Sequence, residues 1–209
     1  MTSVRARAGT DAGGWFEVPP LEDESERERW AHAVVDAVAR AHGDRFDPEA
    51  GQAIRSVVVE SASRRDDSDL LMMAFLPTAG PILSTVRVRM FTPPPVDFWR
   101  ERGFALSPIR AAGVGHGMLA TRTLEERVNE DRLVGHQSVF VFVDGDLGIT
   151  VSIEPTAALV FDKMQDGLTE IVGSLTLEFD DGRIFVGARV PELLGADVDT
   201  WDIGMHVPT

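Results

Sequence analysis

Five histidines, a pair of strand-borne arginines and one glycine-rich pentapeptide are the groups in this 209-residue chain whose types suggest chemistry. His32, His42, His116, His136 and His206 make neither a His-Glu-x-x-His nor a His-x-His pair, and there is no cysteine. A zinc centre would need ligands gathered from distant strands, and disulfides and thiolate nucleophiles are excluded. Gly113-Val114-Gly115-His116-Gly117 would let backbone N–H groups approach a phosphate. A phosphate fingerprint, however, opens a helix after a strand. This cluster leads into the strand-like Met118 to Thr123 without a Lys-Ser/Thr ending, so a turn or bulge is expected. Asp144-Gly145-Asp146 sets two carboxylates together, as a cation would require, but Asp-Gly is also preferred hairpin-turn chemistry. Ser61 and Ser63 lie in polar surroundings, outside any Gly-x-Ser-x-Gly elbow. No catalytic, metal or cofactor-binding residue is nominated.

Two features stand above this background. Arg87 and Arg89 project from one face of a predicted strand, and guanidinium pairs fork onto carboxylates or phosphates. Their simpler reading is ion pairing with the chain's own acids. Phe98-Trp99, beside Pro93-Pro94-Pro95, offers an aromatic anchor to a protein partner, or caps one end of the core.

The elements that would hold these groups follow from periodicity. Residues 1–14 read as a flexible N-terminal tail, and Trp15-Phe16-Glu17-Val18-Pro19-Pro20 as a short first strand ended by the diproline. Ser25 with Glu28 forms a capping-box pattern before a helix with Trp30, Val34, Ala37, Val38 and Ala41 on one stripe, ended by Gly43. Asp47-Pro48 opens a second helix burying Ile54, Val57 and Val58. Leu70 to Leu76 is a continuous apolar run, expected as a central strand covered on both faces. From Ile82 to Phe91 apolar and polar residues alternate in a second strand, with Arg87 and Arg89 outward. A short helix near Phe98, strands near Pro108 to Ala112 and Met118 to Thr123, and a charged loop from Glu125 to Arg132 come next. Ser138 to Val143 and Ile149 to Ile153 form the clearest hairpin. Thr156 caps a helix burying Val160, Phe161, Met164, Leu168, Ile171 and Val172, with Gly167 a weak point. A hairpin around Asp180-Asp181-Gly182 closes the domain, and an acidic C-terminal extension over 189–209 carries Trp201, which is expected to dock on the domain or a partner. The expectation is one α+β domain over 15–188, an antiparallel β-sheet flanked by amphipathic helices.

Charge bounds the partners. Twenty basic against 34 acidic residues leave −14, which repels nucleic acid and anionic lipid. The excess carboxylates serve solubility, or else a basic partner. No stretch approaches a membrane span, and the first 14 residues lack the apolar core of a secretory signal, so a cytoplasmic protein without membrane insertion is expected.

A Trp-Phe-x-Val-Pro-Pro strand, amphipathic helices, a run of antiparallel strands, a hairpin, a helix and a closing strand after Ile171-Val172-Gly173-Ser174-Leu175 resemble the PsbP-like and DcrB-like α/β sandwich over residues 15 to 179. The likeness is to a bacterial branch opening with Trp-Phe-x-hydrophobic-Pro-Pro. It implies a non-enzymatic scaffold of chaperone or adaptor type with a protein partner, no cofactor and no fixed catalytic residues. An immunity-type inhibitor of a basic toxin belongs to the same binding class. A small-molecule-binding protein or enzyme with a site near Arg87, Arg89 and His116 is the competing one.

Overall fold

The computed structural model describes residues 4–77, 81–128 and 131–193, without the side chains of 126–128 and 131–133. Trp201 and the rest of 194–209 lie outside the described residues. In chain order the elements are β1 (Val4–Arg7), β2 (Trp15–Glu17), α1 (Glu24–His42), α2 (Pro48–Ser63), β3 (Asp69–Phe75), β4 (Ser84–Phe91), α3 (Asp97–Glu101) and β5 (Ala105–Ala111). They continue with β6 (Gly115–Val128), β7 (Asp131–Asp144), β8 (Leu147–Ile153), β9 (Thr156–Ala157), α4 (Ala158–Ser174) and β10 (Thr176–Phe179). The fold is α+β. Its frame is an antiparallel sheet in the order β2-β3-β4-β8-β7-β6-β5, with β9 added to β7 and a separate β1-β10 pair.

Strand alternation sorts side chains to two faces. On one, Leu71, Met73, Phe75, Val86, Val88, Phe140, Phe142, Ile149 and Val151 meet Met164, Leu168, Ile171 and Val172 of α4 and Leu177 and Phe179 of β10 in the main core. The opposite face is covered at its two margins. Over β2 and β3, the α1–α2 hairpin buries Ala31, Ile54 and Val58 near Leu76, and Ala62 against Val18, Met72 and Ala74. Over β5, β6 and β7, Trp99 of α3 packs with Phe104, Met118, Ala120, Val139, Val141 and Val190. Between these margins Arg87 lies opposite Ser152 and Arg89 opposite Thr150, making a polar floor.

Several expectations need correction. Residues 4–7, within the expected flexible tail, form β1 and pair with β10 from Val4↔Phe179 to Arg7↔Thr176. The alternation Val4, Ala6 against Arg5, Arg7 puts the apolar pair on the core, a signal too short to read alone. Beyond it, Gly9 N–H donates to Ser174 Oγ (3.1 Å), while Thr10 Oγ1 and Asp11 N–H donate to Glu170. The cap of α1 is Asp23, not Ser25: Asp23 accepts from Glu26 N–H (2.8 Å), and Glu26 accepts from Glu22 N–H (2.9 Å). Ser25 instead accepts from Arg29 (2.6 Å), and Glu28 reaches Arg55 of α2 (2.7 Å). The helix at Asp47-Pro48 is as expected, with Asp47 accepting from Glu49 N–H (2.9 Å).

The apolar β3 is second from the margin rather than central, because β2 pairs outside it. It is still buried on both faces, since α1 and α2 cover the side away from the main core. The expected loop from 125 to 132 is instead the outer half of a β6–β7 ribbon, in register from Gly117↔Phe142 to Val128↔Asp131. Its charged residues belong to a ribbon reaching beyond the rest of the sheet, and charge there reads like a loop. Thr156 does not cap α4: it lies in β9, its hydroxyl 2.8 Å from Ser84 Oγ, and the cap position, Ala157, has no side-chain acceptor. The hairpin closing the chain is reduced to Phe179 N–H on Arg183 O (2.9 Å), Phe185 N–H on Leu177 O (3.0 Å) and one bridge.

Gly167 has a packing reason. A Cβ there would collide with the Trp15 indole, which lies across α4 and packs on Phe75 at 4.9 Å between ring centroids. Gly167→Ala should therefore lose about 1–3 kcal/mol in urea unfolding despite its better helix propensity. Gly173→Ala in the same helix, where a Cβ meets nothing within 4 Å, should gain up to about 1 kcal/mol. Glu170 is held below the usual carboxylate range by Thr10 and then by Asp11 N–H. A folded value below the unfolded one means its contribution is complete above the ordinary carboxylate range and lost as pH falls. Amide protection factors, normalised for intrinsic exchange, should fall at Ala6 and Arg7 on acidification, and Glu170→Gln should flatten that pH dependence.

Candidate functional site

The polar floor is organised around Asp69, whose side chain has no solvent exposure. Asp69 begins β3 just before a register shift and opposes Arg89 of β4. Arg89 Nε donates to Asp69 Oδ1 (2.6 Å) and Arg89 Nη2 to Asp66 Oδ2 (2.9 Å). Arg87 Nη1 donates to Arg64 O (2.9 Å) and to Asp69 Oδ2 (3.4 Å), and Arg87 Nη2 to Glu154 Oε1 (3.2 Å). Asp66 N–H also donates to Asp69 Oδ2 (3.0 Å). Arg65, at the end of α2, donates to Val18 O and to Asp69 O (3.4 Å).

The electrostatics follow. The hydrogen bond to Asp69 raises the Arg89 guanidinium above its ordinary range. Donation from Ser68, aided by Arg89 and Arg87, holds Asp66 below the usual carboxylate range. Burial lowers Arg65, opposed by Glu17 and Asp69. Beside the network lies a cleft of about 510 Å³ lined by Leu21, Glu22, Arg27, Arg65, Asp66, Asp67 and Asp69, among others. The structure brings Arg87 and Arg89 together, and it directs both guanidinium groups at the chain's own carboxylates.

His116 is elsewhere. It begins β6, separated from β4 by β7 and β8, so the sheet places it roughly 14 Å across from the arginine strand. Its glycine-rich surroundings are a crossing of backbones. His116 N–H donates to Gly187 O (2.9 Å) and Gly187 N–H to Val114 O (2.7 Å). A Cβ on Gly113 would strike Leu175 O, and one on Gly117 would strike Val141 O. Gly115, at φ +81°, turns the chain into β6. The N–H group that would face a phosphate is thus used on the chain itself. Burial lowers the His116 pKa, with Arg189 and Arg110 adding to the effect. Asp144 and Asp146 flank Gly145, at φ +61°, in a tight turn, with Asp144 paired to Arg183 at 3.2 Å. Among the described residues no cluster of three His, Asp or Glu side chains is arranged to hold a metal.

Trp99 is buried, edge-on to Phe98 (5.5 Å) and Phe104 (5.6 Å). Phe98 is half-buried and lies under the Arg102 guanidinium at 3.5 Å. Trp99 is therefore core, and Phe98 is roofed.

What residue-by-residue reading missed is a group of exposed apolar side chains. Leu159 is 70% exposed, Ile82 52% and Val134 41%. The Ser84–Thr156 contact and the pairing Gly135↔Ala157 bring their segments together at the ribbon end of the sheet. A signal did exist: in Ala158-Leu159-Val160-Phe161 the helical stripe uses Val160 and Phe161, leaving Leu159 over. Ile184 (47%) and Val186 (57%) form a second exposed pair at the opposite end.

Removing Asp69 strands two guanidinium groups in a mostly dehydrated place. Asp69→Ala should cost about 3 kcal/mol in urea unfolding. Arg64→Ala, which removes an ion pair to Glu60 with both partners more than half exposed, should change stability by under about 0.5 kcal/mol. No family model, no curated protein and no solved structure matches the chain.

Proposed function

We propose that this chain is a non-enzymatic protein-binding scaffold of the cytoplasm, of chaperone or adaptor type, as its resemblance to the PsbP-like sandwich implies. The observation that carries the reading is the exposed apolar group Ile82, Val134 and Leu159. Aliphatic side chains in water favour association, and three from separate segments at one end of a sheet make a patch rather than scattered exposure. Glu125 lies opposite Val134 in the ribbon register, and Glu154 and Asp162 are near in sequence to β9 and Leu159. With a net charge of −14, the partner that fits is a basic polypeptide presenting an apolar segment.

A catalytic reading near Arg87, Arg89 and His116 has less support, because the arginines are turned onto Asp66, Asp69 and Glu154 and the histidine is strands away. Among the described residues no helix is long and apolar enough to cross a membrane.

The test compares the tagged chain with Leu159→Asp/Val134→Asp in pull-downs from native lysate. The wild type should retain one positively charged protein in near-equal amount, and the variant should lose it at least about tenfold, equivalent to about 1.4 kcal/mol. Recovery of the chain alone, or a partner held equally by both proteins, would overturn the proposal.

A further inference from the structure

Under the end of α2, the polar floor holds polar atoms that the ion-pair network does not use. Ser61 of α2 is 4% exposed and Thr85 of β4 is 2% exposed. Ser61 Oγ, Thr85 Oγ1 and Arg87 Nε are closed to solvent, and none has a hydrogen-bond partner among the described residues. Leaving a single buried polar group unmet shifts the folding equilibrium about fivefold or more toward the unfolded chain. Three such atoms in one place call for a shared partner.

The seating of α2 brings the three together. Ala74 opposes Thr85 and Met72 opposes Arg87 in the β3–β4 register, so these four side chains share the face that α2 covers. Val58 shares a cluster there with Leu76 and Leu83, Ala62 shares one with Met72, Ala74 and Leu83, and the Arg64 carbonyl takes Arg87 Nη1 at 2.9 Å. Ser61 lies on the helix between Val58 and Arg64, and Thr85 lies on β4 between Leu83 and Arg87. With both ends of this stretch matched, Ser61 falls over Thr85. Arg55, which meets Glu28 of α1, is about 120° away around the helix, so Ser61 is on the flank that α1 leaves to β4. The Arg87 guanidinium also reaches Glu154 (3.2 Å), whose N–H donates to Thr85 O (3.2 Å), so Arg87 leans back along β4 toward Thr85. Two hydroxyls set opposite one another without a mutual bond are the case in which a bridging molecule stands between them.

The chemistry of the three atoms selects the ligand. Arg65, Arg87 and Arg89 already balance Asp66, Asp69 and Glu154 charge for charge. An anion would add a buried charge without a counterion, and a cation would face an arginine N–H, which only donates. Water accepts from Arg87 Nε–H and exchanges bonds with two hydroxyls, each able to donate or accept, and three partners are what a buried water ordinarily makes. We propose that Ser61 Oγ, Thr85 Oγ1 and Arg87 Nε form a binding site for one internal water, which carries hydrogen bonding from α2 to β4. The site straps the helical hairpin to the sheet beside the Arg64 carbonyl, and it stands or falls separately from the scaffold reading.

The test uses the full chain and reads both stability and density. Ser61→Ala and Thr85→Val should each raise the unfolding equilibrium constant in urea about fivefold, because each strips the water of one partner. The double variant should raise it by much less than the product of about 25-fold, because the water is lost only once. A hydroxyl without any partner gives the opposite sign, since deleting it removes a desolvation penalty. A lowered unfolding constant in either single variant, or effects that multiply in full, would therefore overturn the proposal. In a high-resolution crystal structure of the full chain, one water should lie within about 2.6–3.2 Å of all three atoms. Direct bonding of Ser61 Oγ to Thr85 Oγ1 in that structure would overturn the site, and so would a halide at this position, identified by anomalous scattering.

Discussion

A carboxylate shut away from water must be matched by positive charge or it cannot stay ionised, and Asp69 meets that condition with two guanidinium groups from the adjacent strand. The arrangement reaches well beyond a single ion pair. Arg87 also takes the carbonyl of Arg64 at the end of α2 and the carboxylate of Glu154 just past β8, while Arg65 takes the carbonyl of Val18 beside β2. One buried negative charge thereby fixes where the helical hairpin ends and how β3 registers on β4. The polar floor between two apolar margins is thus a structural joint, and it keeps the second face of the sheet from being a continuous hydrophobic surface.

At the far end the joint is made of backbone instead of charge. Gly113, Gly115, Gly117 and Gly187 let two chain segments cross at a distance no side chain would permit, and the crossing carries the chain from the main core at Phe185 to the Trp99 cluster at Val190. Sheet and helices are thus tied between the margins of the sheet by ion pairs and at the start of β6 by carbonyl–amide bonds. Of the exposed aliphatic groups, Ile184 and Val186 lie beside the glycine crossing, and Ile82, Val134 and Leu159 at the ribbon end.

Much of this architecture was legible because its signals are local. The stripes of α1, α2 and α4, the Asp47-Pro48 start and the Asp144-Gly145 turn each depend on neighbours in sequence. Asp69 was not singled out, since an aspartate before an apolar run looks like a strand boundary, and its meaning depends on two arginines some 20 residues away in sequence. Gly167 looked like a defect because the Trp15 ring that requires it comes from the other end of the chain. β1 was unreadable for the same reason, as were the exposed positions of Ile82, Val134 and Leu159: exposure is what remains after every other element has been placed.

The pairing of β1 with β10 also has a consequence for how the molecule is made. Val4–Arg7 is synthesised well before its partner strand Thr176–Phe179, which is added 169 positions later, counting from Arg7 to Thr176. At roughly 5–20 residues per second the first strand waits about 10–35 s for a mate. During that interval the main core, to which Phe75, Phe140 and Phe142 belong, lacks the β1–β10 pair. Vectorial synthesis thus delays the β1–β10 pairing until β10 has been made.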